Sequence, residues 1–218
     1  MISIAKAAGC ASEGLNRYAM ESDKPESTPQ PPPNPFKDCW LLTKEHFNTD
    51  KYVPDRASYA LVSGEEVTKE RVTAVYFSAS WCPPCQKFTP LLKQMYEDLR
   101  NRNAPLQVIF ISFDRTKEMM KEYFLNCHGD WLAVPYDDPL REQLANKFNI
   151  NAIPKLVVLR PDGEVITMRG RKDVQDKGMI CFRSWQSAAS LADNVSLSRT
   201  FSETRGVSVT RMDGETDE

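Results

Sequence analysis

The sequence predicts one layered α/β domain with a central mixed β-sheet, placed between two extensions that lack a core. Strand-length apolar runs alternate with amphipathic helical segments through the middle of the chain, which is the pattern of an α/β domain. One turn is short enough to make its two flanking strands antiparallel, so the sheet is expected to be mixed. With 218 residues, of which 41% are hydrophobic, the chain can bury one good core.

Charge and hydropathy exclude several classes of partner. The 28 Lys and Arg residues nearly balance the 30 Asp and Glu residues, and no long basic run is available to neutralise a phosphate backbone. No stretch approaches the roughly 20 apolar residues that span a bilayer. We therefore expect a soluble protein that binds neither nucleic acid nor a membrane.

The N-terminus does not resemble a secretory signal, because no basic segment precedes a sustained hydrophobic one. Acidic residues are absent before Glu13, whereas Lys6 and Arg17 are present, so a mitochondrial presequence is the alternative. The expected location is the cytoplasm, the nucleus or both.

The two ends of the chain have the composition of unfolded segments. The prolines within residues 29–35 favour extended polyproline II structure, so residues 1–35 are predicted to be a flexible segment with a Pro-rich linker. Residues 191–218 are rich in Ser and acidic residues and poor in large apolar ones, which predicts a disordered tail. The folded domain is predicted over residues 36–190.

The first half of this domain is predicted to contain two strands and a long helix. A short apolar run at residues 59–62 stops at Ser63-Gly64, and residues 73–78 form a strongly apolar strand. Residues 85–100 are predicted to be helical, because their apolar side chains recur every three or four positions and share one face. Pro90 lies inside this helix and is expected to bend it.

The second half of the domain continues the alternation. Residues 106–113 are a continuous apolar run, as expected for a central strand that is covered on both faces. Helices are predicted at residues 116–125 and 139–148, the latter with a proline in its first turn. Strands at residues 156–159 and 165–168 are separated by a Pro-Asp-Gly turn, which makes them a hairpin.

The segment Trp81-Cys82-Pro83-Pro84-Cys85 lies between a buried strand and an amphipathic helix. A helix N-terminus carries unsatisfied N–H groups and roughly half a positive charge, so a Cys82 thiolate is stabilised there and its pKa falls from ~8.5 toward ~7 or below. Cys82 is therefore the predicted nucleophile. Cys85, one helical turn away and within disulfide range, is the predicted resolving thiol. Pro83 and Pro84 lack N–H donors and stiffen the loop, so they are expected to tune the redox potential.

A zinc site is the alternative interpretation of this cysteine pair. Zinc needs about four ligands, and the sequence contains no second CxxC, CxxH or HxxxH motif. Redox chemistry is therefore favoured, and no metal is expected. The remaining cysteines are too sparse for a disulfide framework and receive no role. They are Cys10, Cys39, Cys127 and Cys181.

Four short segments of the chain form a recognisable set. They are residues 76–85, Phe88-Thr89-Pro90, residues 131–136 and Ile153-Pro154. Together they resemble the thioredoxin superfamily, and within it the nucleoredoxin and tryparedoxin branch. The resemblance covers roughly residues 55–185. It implies a three-layer thioredoxin-like fold with helices on both faces of the sheet.

The resemblance also implies a substrate-binding surface beside the cysteines. The Ile153-Pro154 bond is expected to be cis, and the backbone of Ile153 is expected to pair with an extended substrate chain. Trp81 is expected to add an apolar contact to the substrate. Trp131 is not expected to belong to the site.

One position departs from ordinary thioredoxins. Tyr76 stands where they carry a buried acid behind the resolving cysteine, so another group must remove the proton from Cys85. Asp114 or a water molecule could do so. Asp114 could equally be the N-cap of the helix that follows it.

The predicted function is protein-disulfide reduction by a thioredoxin-like oxidoreductase. No bound cofactor is expected, because a redox-active Cys82–Cys85 disulfide would take electrons from an external source, either a thioredoxin reductase or a low-molecular-weight thiol. Disulfide-containing proteins are the expected substrates. The alternative implied by the resemblance is a redox-sensitive adaptor with little turnover. Such an adaptor would bind a signalling partner, as nucleoredoxins bind Dishevelled. Both functions use the same site, so the sequence does not separate them.

Overall fold

The computed structural model describes residues 34–46 and 61–190. Most of the predicted N-terminal segment, the whole predicted tail and Cys10 lie outside the described residues. The amide Nδ2 of Asn34 donates a hydrogen bond to Thr68 Oγ1 at 2.7 Å. Contacts of the domain therefore begin at least two residues before the predicted boundary at Phe36.

Within the described residues, seven strands form one mixed sheet. They are β1 (Trp40–Leu42), β2 (Leu61–Ser63), β3 (Val72–Ser78), β4 (Leu106–Ser112), β5 (Leu132–Ala133), β6 (Lys155–Leu159) and β7 (Val165–Thr167). The order across the sheet is β2-β1-β5-β4-β3-β6-β7. β3, β4 and β5 are parallel, whereas β6 is antiparallel to β3 and β7, and β1 to β2 and β5. The predicted mixed sheet and the predicted β6–β7 hairpin are both confirmed.

The described residues contain six helices, of which the sequence predicted the second, third and fourth, with small shifts at their ends. They are α1 (Gly64–Thr68), α2 (Pro83–Arg100), α3 (Lys117–Cys127), α4 (Leu140–Lys147), α5 (Gly170–Lys177) and a helical segment at residues 181–190, here α6. α2 begins two residues before the predicted start, because Pro83 and Pro84 occupy positions whose N–H groups have no partner within a helix. No helix in the described part of the chain has the length and apolar character needed to cross a membrane.

The core lies on both faces of the sheet. Every residue of β3 and β4 is buried, and successive residues of a strand point to opposite faces. One face packs against α2, α3 and α6, and the other packs against α4. The first face includes Ala74, Tyr76, Val108, Phe110, Phe88, Leu92, Phe124 and Trp185. The second includes Val75, Phe77, Ile109, Ile111, Leu144 and Phe148. The predicted three-layer arrangement is confirmed.

Candidate active site

The cysteine pair lies at the junction between β3 and α2. Cys82 is the N-cap residue of α2, and its carbonyl accepts hydrogen bonds from the N–H groups of Cys85 and Gln86 at 3.0 and 3.1 Å. Pro83 and Pro84 fill the first two helical positions. A disulfide joins Cys82 and Cys85, whose Cα atoms are 5.2 Å apart, a usual separation for bridged cysteines.

The two cysteines differ in exposure. Cys82 is 4% exposed, whereas Cys85 is completely buried. Both pack with Ala79 and against the partly buried side chains of Phe113 and Ile153. An incoming substrate can therefore reach Cys82 first, which supports its assignment as the nucleophile.

The N-terminus of α2 favours a thiolate at Cys82 when the pair is reduced. α2 has 18 residues, and its aligned peptide dipoles place roughly half a positive charge at this end. No acidic side chain lies in the first turn of α2 to oppose that charge. This partial positive charge favours a negative charge on Cys82, while Pro83 and Pro84 supply no N–H group and those of Cys85 and Gln86 bond to the Cys82 carbonyl.

The loop that precedes β6 lies beside the cysteine pair. The predicted cis peptide bond between Ile153 and Pro154 is confirmed. The carbonyl oxygen of Ile153 lies 3.7 Å from Cys82 Sγ. A polypeptide that paired with the Ile153 backbone would thus run directly past the sulfur of Cys82.

Trp81 and Trp131 occupy opposite environments. Trp81 is 47% exposed, and its Nε1 donates a hydrogen bond to the Phe113 carbonyl at 3.1 Å, which fixes the ring beside the cysteines. The guanidinium of Arg115 lies 5.8 Å from the centre of the same ring. Trp131 is only 1% exposed and packs edge-on against Tyr96. Trp81 is therefore available to a substrate, and Trp131 belongs to the core.

Asp114 is not the N-cap that the sequence allowed it to be. Thr116 caps α3, and its Oγ1 accepts a hydrogen bond from the N–H of Met119 at 3.2 Å. Asp114 is 4% exposed and accepts hydrogen bonds from the Ser80 N–H and Ser80 Oγ at 2.7 and 2.8 Å, and from Ser112 Oγ at 2.8 Å. Its carboxylate holds the loop that leads from β3 to Cys82, so it positions the site.

A closed ring of four buried hydroxyl groups lies behind Cys85, and we call it the hydroxyl ring. It consists of Tyr76, Ser78, Thr89 and Tyr123. Their oxygen atoms are 2.7 Å apart for Tyr76–Thr89, 2.6 Å for Thr89–Tyr123, 3.2 Å for Tyr123–Ser78 and 3.0 Å for Ser78–Tyr76. Thr89 Oγ1 also donates a hydrogen bond to the Cys85 carbonyl at 2.9 Å. The ring is thereby connected to the first turn of α2.

The hydroxyl ring is uncharged at neutral pH. Burial is the main factor that raises the pKa of Tyr76 and of Tyr123 above the ordinary tyrosine value. The ring therefore fills the place of the buried acid with a neutral network that anchors the cysteine turn. Of its members, sequence analysis singled out only Tyr76. Thr89 could also have been noticed in the sequence, because it is a polar residue on the otherwise apolar face of α2.

A Thr89→Val variant tests the role of the hydroxyl ring in stability. Valine has nearly the shape of threonine, but it removes one of the two hydroxyl groups that bond to both Tyr76 and Tyr123, which leaves only that of Ser78. The free energy of unfolding is expected to fall by about 1–3 kcal/mol, the usual cost of unsatisfied buried polar groups. Urea unfolding measures it, with Thr89→Ser as the control that keeps the hydroxyl. Equal unfolding midpoints for Thr89→Val and the unaltered protein would show that the Thr89 hydroxyl contributes nothing to stability.

The other described cysteines lie in different surroundings. Burial, together with Asp138 and Asp38, raises the pKa of Cys39 to about 12, and burial with Asp173 raises that of Cys181 to about 12. Both thiols are therefore protonated at neutral pH. Cys127 is exposed. Within residues 34–46 and 61–190, no group of three or more His, Cys, Asp and Glu side chains is arranged to hold a metal ion.

Proteins that combine this three-layer fold with a CxxC pair at the start of the helix after a central strand are thioredoxin-like thiol–disulfide oxidoreductases. A family model described as thioredoxin-like matches residues 70–165 of this chain. Thioredoxin from Wuchereria bancrofti is 34% identical, and the match covers 71% of this chain and 98% of that protein with a TM-score of 0.56. The chain belongs to the thioredoxin superfamily.

Two further comparisons place the chain within the superfamily. Human nucleoredoxin-like protein 1 is 35% identical over 130 residues, which are 57% of this chain. Tryparedoxin II from Crithidia fasciculata is 33% identical, with 56% of this chain and 83% of that protein covered and a TM-score of 0.51. The chain is a member of the nucleoredoxin and tryparedoxin-like branch. It spans 61% of the length of the human relative, which is less than two thirds.

Proposed function

We propose that this protein reduces disulfide bonds in other proteins, with Cys82 as the nucleophile and Cys85 as the resolving thiol. The observation that carries the proposal is the placement of the pair. Cys82 caps the N-terminus of α2, is the more exposed of the two cysteines, and lies beside the Ile153 carbonyl. A thiolate at a helix N-terminus with a second thiol one turn behind it is suited to disulfide exchange.

The reaction proceeds by two exchanges. The Cys82 thiolate attacks one sulfur of the substrate disulfide, which forms a mixed disulfide and releases the other substrate sulfur as a thiolate. Cys85 then loses its proton and attacks Cys82 Sγ, which releases the first substrate sulfur and forms the Cys82–Cys85 disulfide. Two electrons pass to the substrate. An external reductase or a low-molecular-weight thiol supplies two electrons to restore the dithiol.

The substrate chain is held beside the cysteines by three residues. The backbone of Ile153 pairs with the substrate in the manner of an added strand, while Pro154 supplies the adjoining surface. The exposed ring of Trp81 provides an apolar contact, and its hydrogen bond to Phe113 keeps that ring in place. Pro83 and Pro84 limit the number of N–H donors around Cys82 and so influence the redox potential.

Trapping of the mixed disulfide tests this function. A Cys85→Ser variant is expected to accumulate a covalent adduct with a disulfide-containing protein such as insulin, because no thiol remains to resolve it. Cys82→Ser is the matched control and is expected to form no adduct. Mass spectrometry of the purified protein under non-reducing conditions identifies the adduct and its attachment site.

Turnover separates the proposed reductase from a protein that only binds. The unaltered chain is expected to reduce insulin repeatedly with dithiothreitol as electron donor, and Cys82→Ser is expected to give only the uncatalysed rate. If Cys82→Ser retains the full rate, the assignment of the nucleophile is wrong. A trapped adduct without repeated turnover would instead indicate a redox-sensitive adaptor.

A further inference from the structure

A groove of about 590 Å³ lies against Pro154, and we call it the basic groove. One wall is the loop before β6, at residues 149–152. The other wall is formed by Met168 and Arg169, which follow β7, and by α5. The groove therefore adjoins the loop whose backbone faces Cys82.

Positive charge predominates in the basic groove. Four of its lining residues are cationic and one is acidic, although the whole chain has a net charge of −2. The cations are Lys155, Arg169, Arg171 and Lys172, and the acid is Asp176. A concave surface with several like charges concentrates the electrostatic potential and attracts groups of opposite sign.

Most of these charges are not neutralised by the protein itself. Among the described residues, Lys155, Arg169 and Arg171 have no ion-pair partner. The Nε of Arg171 is buried without a hydrogen-bond partner in the same part of the chain. Lys172 lies 3.8 Å from Asp176, but both side chains are more than half exposed, so the pair is weak. Within residues 34–46 and 61–190, the guanidinium groups of this groove therefore have no carboxylate partner.

Two other arginines of the domain have partners for their guanidinium groups. Arg160 bonds the carboxylates of Asp162 and Glu164, each at 2.6 Å. Arg141 donates hydrogen bonds to the backbone carbonyls of Ser112 and Tyr136. The unpaired cations of the basic groove differ from both, and they adjoin the surface on which a substrate would lie.

The basic groove is continuous with the proposed substrate path. Pro154 lines the groove, and the preceding carbonyl of Ile153 lies 3.7 Å from Cys82 Sγ. Residues of an extended chain advance by about 3.3 Å each. When a substrate strand pairs with Ile153, the substrate residues about two or three positions from the reactive cysteine therefore lie at the groove.

We propose that the basic groove selects protein substrates in which acidic residues flank the reactive disulfide cysteine. This inference rests on the proposed reductase function and names its substrate class. Glutamate or aspartate side chains near the cysteine pair with Arg169, Arg171, Lys155 and Lys172, whereas the cysteine sulfur itself reaches Cys82. The pairing speeds encounter and lowers KM, and it weakens as salt screens the charges.

Competition between two peptides tests the proposal. Both contain the same disulfide, but one has glutamate and the other glutamine at the positions on either side of one cysteine. The full chain is expected to reduce the glutamate peptide with a kcat/KM roughly 3- to 10-fold higher, as a few exposed charge pairs would give. An increase in ionic strength from about 20 mM to about 500 mM is expected to remove most of that preference.

Charge reversal in the basic groove tests whether the preference for the glutamate peptide arises there. In Arg169→Glu/Lys172→Glu the ratio of the two kcat/KM values is expected to invert, and a peptide with lysine at the same positions becomes the better substrate. Both side chains are exposed, so the fold should tolerate the change. The matched control is Lys69→Glu at the end of α1, which is also exposed. Lys69 precedes the start of β3, whereas Cys82 follows its end. This control is expected to keep the original ratio.

The acidic residues near the end of this chain provide a further control. A full chain with Asp213→Asn, Glu215→Gln, Asp217→Asn and Glu218→Gln is expected to show the same peptide preference as the unaltered protein. A large rise in its rate with the glutamate peptide would assign the groove to the chain's own acidic segment and overturn the substrate proposal.

The outcomes distinguish the groove from the function on which it rests. If the glutamine peptide is reduced in a Cys82-dependent manner and the glutamate peptide no faster, the groove proposal fails and the reductase stands. If neither peptide is reduced by any variant, the reductase itself fails. A preference that persists in Arg169→Glu/Lys172→Glu would place acidic selectivity elsewhere on the protein.

Discussion

Asp114→Ala is expected to lower the free energy of unfolding by about 2–4 kcal/mol, because it removes a buried carboxylate that several donors share. The N–H and Oγ of Ser80 and the Oγ of Ser112 all donate to this carboxylate at 2.7–2.8 Å. Alanine leaves the buried hydroxyl of Ser112 and the partly buried donors of Ser80 without this acceptor. It also frees the loop that places Trp81 and Cys82, so disulfide reduction is expected to slow even in molecules that stay folded.

Urea unfolding and insulin reduction measure the two effects separately. Asp137→Ala is the matched control, since Asp137 is an exposed aspartate whose ion pair with Lys117 contributes about 1 kcal/mol or less. Asp114→Asn keeps the shape and one acceptor oxygen, and it is expected to fall between the two. If Asp114→Ala unfolds at the same urea concentration as Asp137→Ala, the carboxylate does not hold the loop.

The central elements could be predicted because their signals are local. β3 and β4 are strands of seven mostly apolar residues each, and α2 repeats apolar residues along one face. β5, by contrast, consists of two residues, which are paired with Ile109 and Phe110 of β4 and with Leu42 of β1. No periodicity exists in so short a segment. β5 forms because it pairs with β4, and this pairing cannot be read from the two residues of β5 themselves.

The residues of the site likewise fall into those that the sequence predicts and those that it does not. The cysteine pair could be found because its residues are contiguous and precede an amphipathic helix. The hydroxyl ring could not, because Ser78, Thr89 and Tyr123 come from β3, α2 and α3 and meet only after the layers pack. The N-cap alternative for Asp114 is wrong for a related reason. Its sequence position fits a cap, but Ser80, brought close by the β3–β4 pairing, occupies its carboxylate.

Lowering the pH below about 6.5 is expected to destabilise the fold progressively through His128, because its pKa is lowered in the folded protein. His128 is completely buried, and its Nδ1 accepts a hydrogen bond from Trp131 Nε1 at 3.1 Å. Its ring centre lies 4.2 and 4.5 Å from those of Phe110 and Tyr123. Burial, and then the charge of Lys44, lowers the pKa of His128 well below 6.5.

The sign of the effect follows from proton uptake. The folded protein keeps His128 neutral, while the unfolded chain protonates it as the pH falls below about 6.5, so the unfolded state binds one more proton. Each pH unit below that value then costs about 1.4 kcal/mol until the folded-state pKa is reached. Stability from this group is therefore complete above pH ~6.5 and is lost as the pH falls.

Comparison with His128→Gln isolates this contribution. Glutamine retains an acceptor for Trp131 Nε1 but does not titrate, so the variant is expected to lose less stability than the unaltered protein between about pH 7 and pH 5. The two proteins share all other titratable groups, and the difference between their slopes belongs to position 128 even if glutamine lowers stability overall. Parallel stability curves, obtained by urea unfolding at each pH, would mean that the buried imidazole accepts a proton without opening the aromatic core that encloses it.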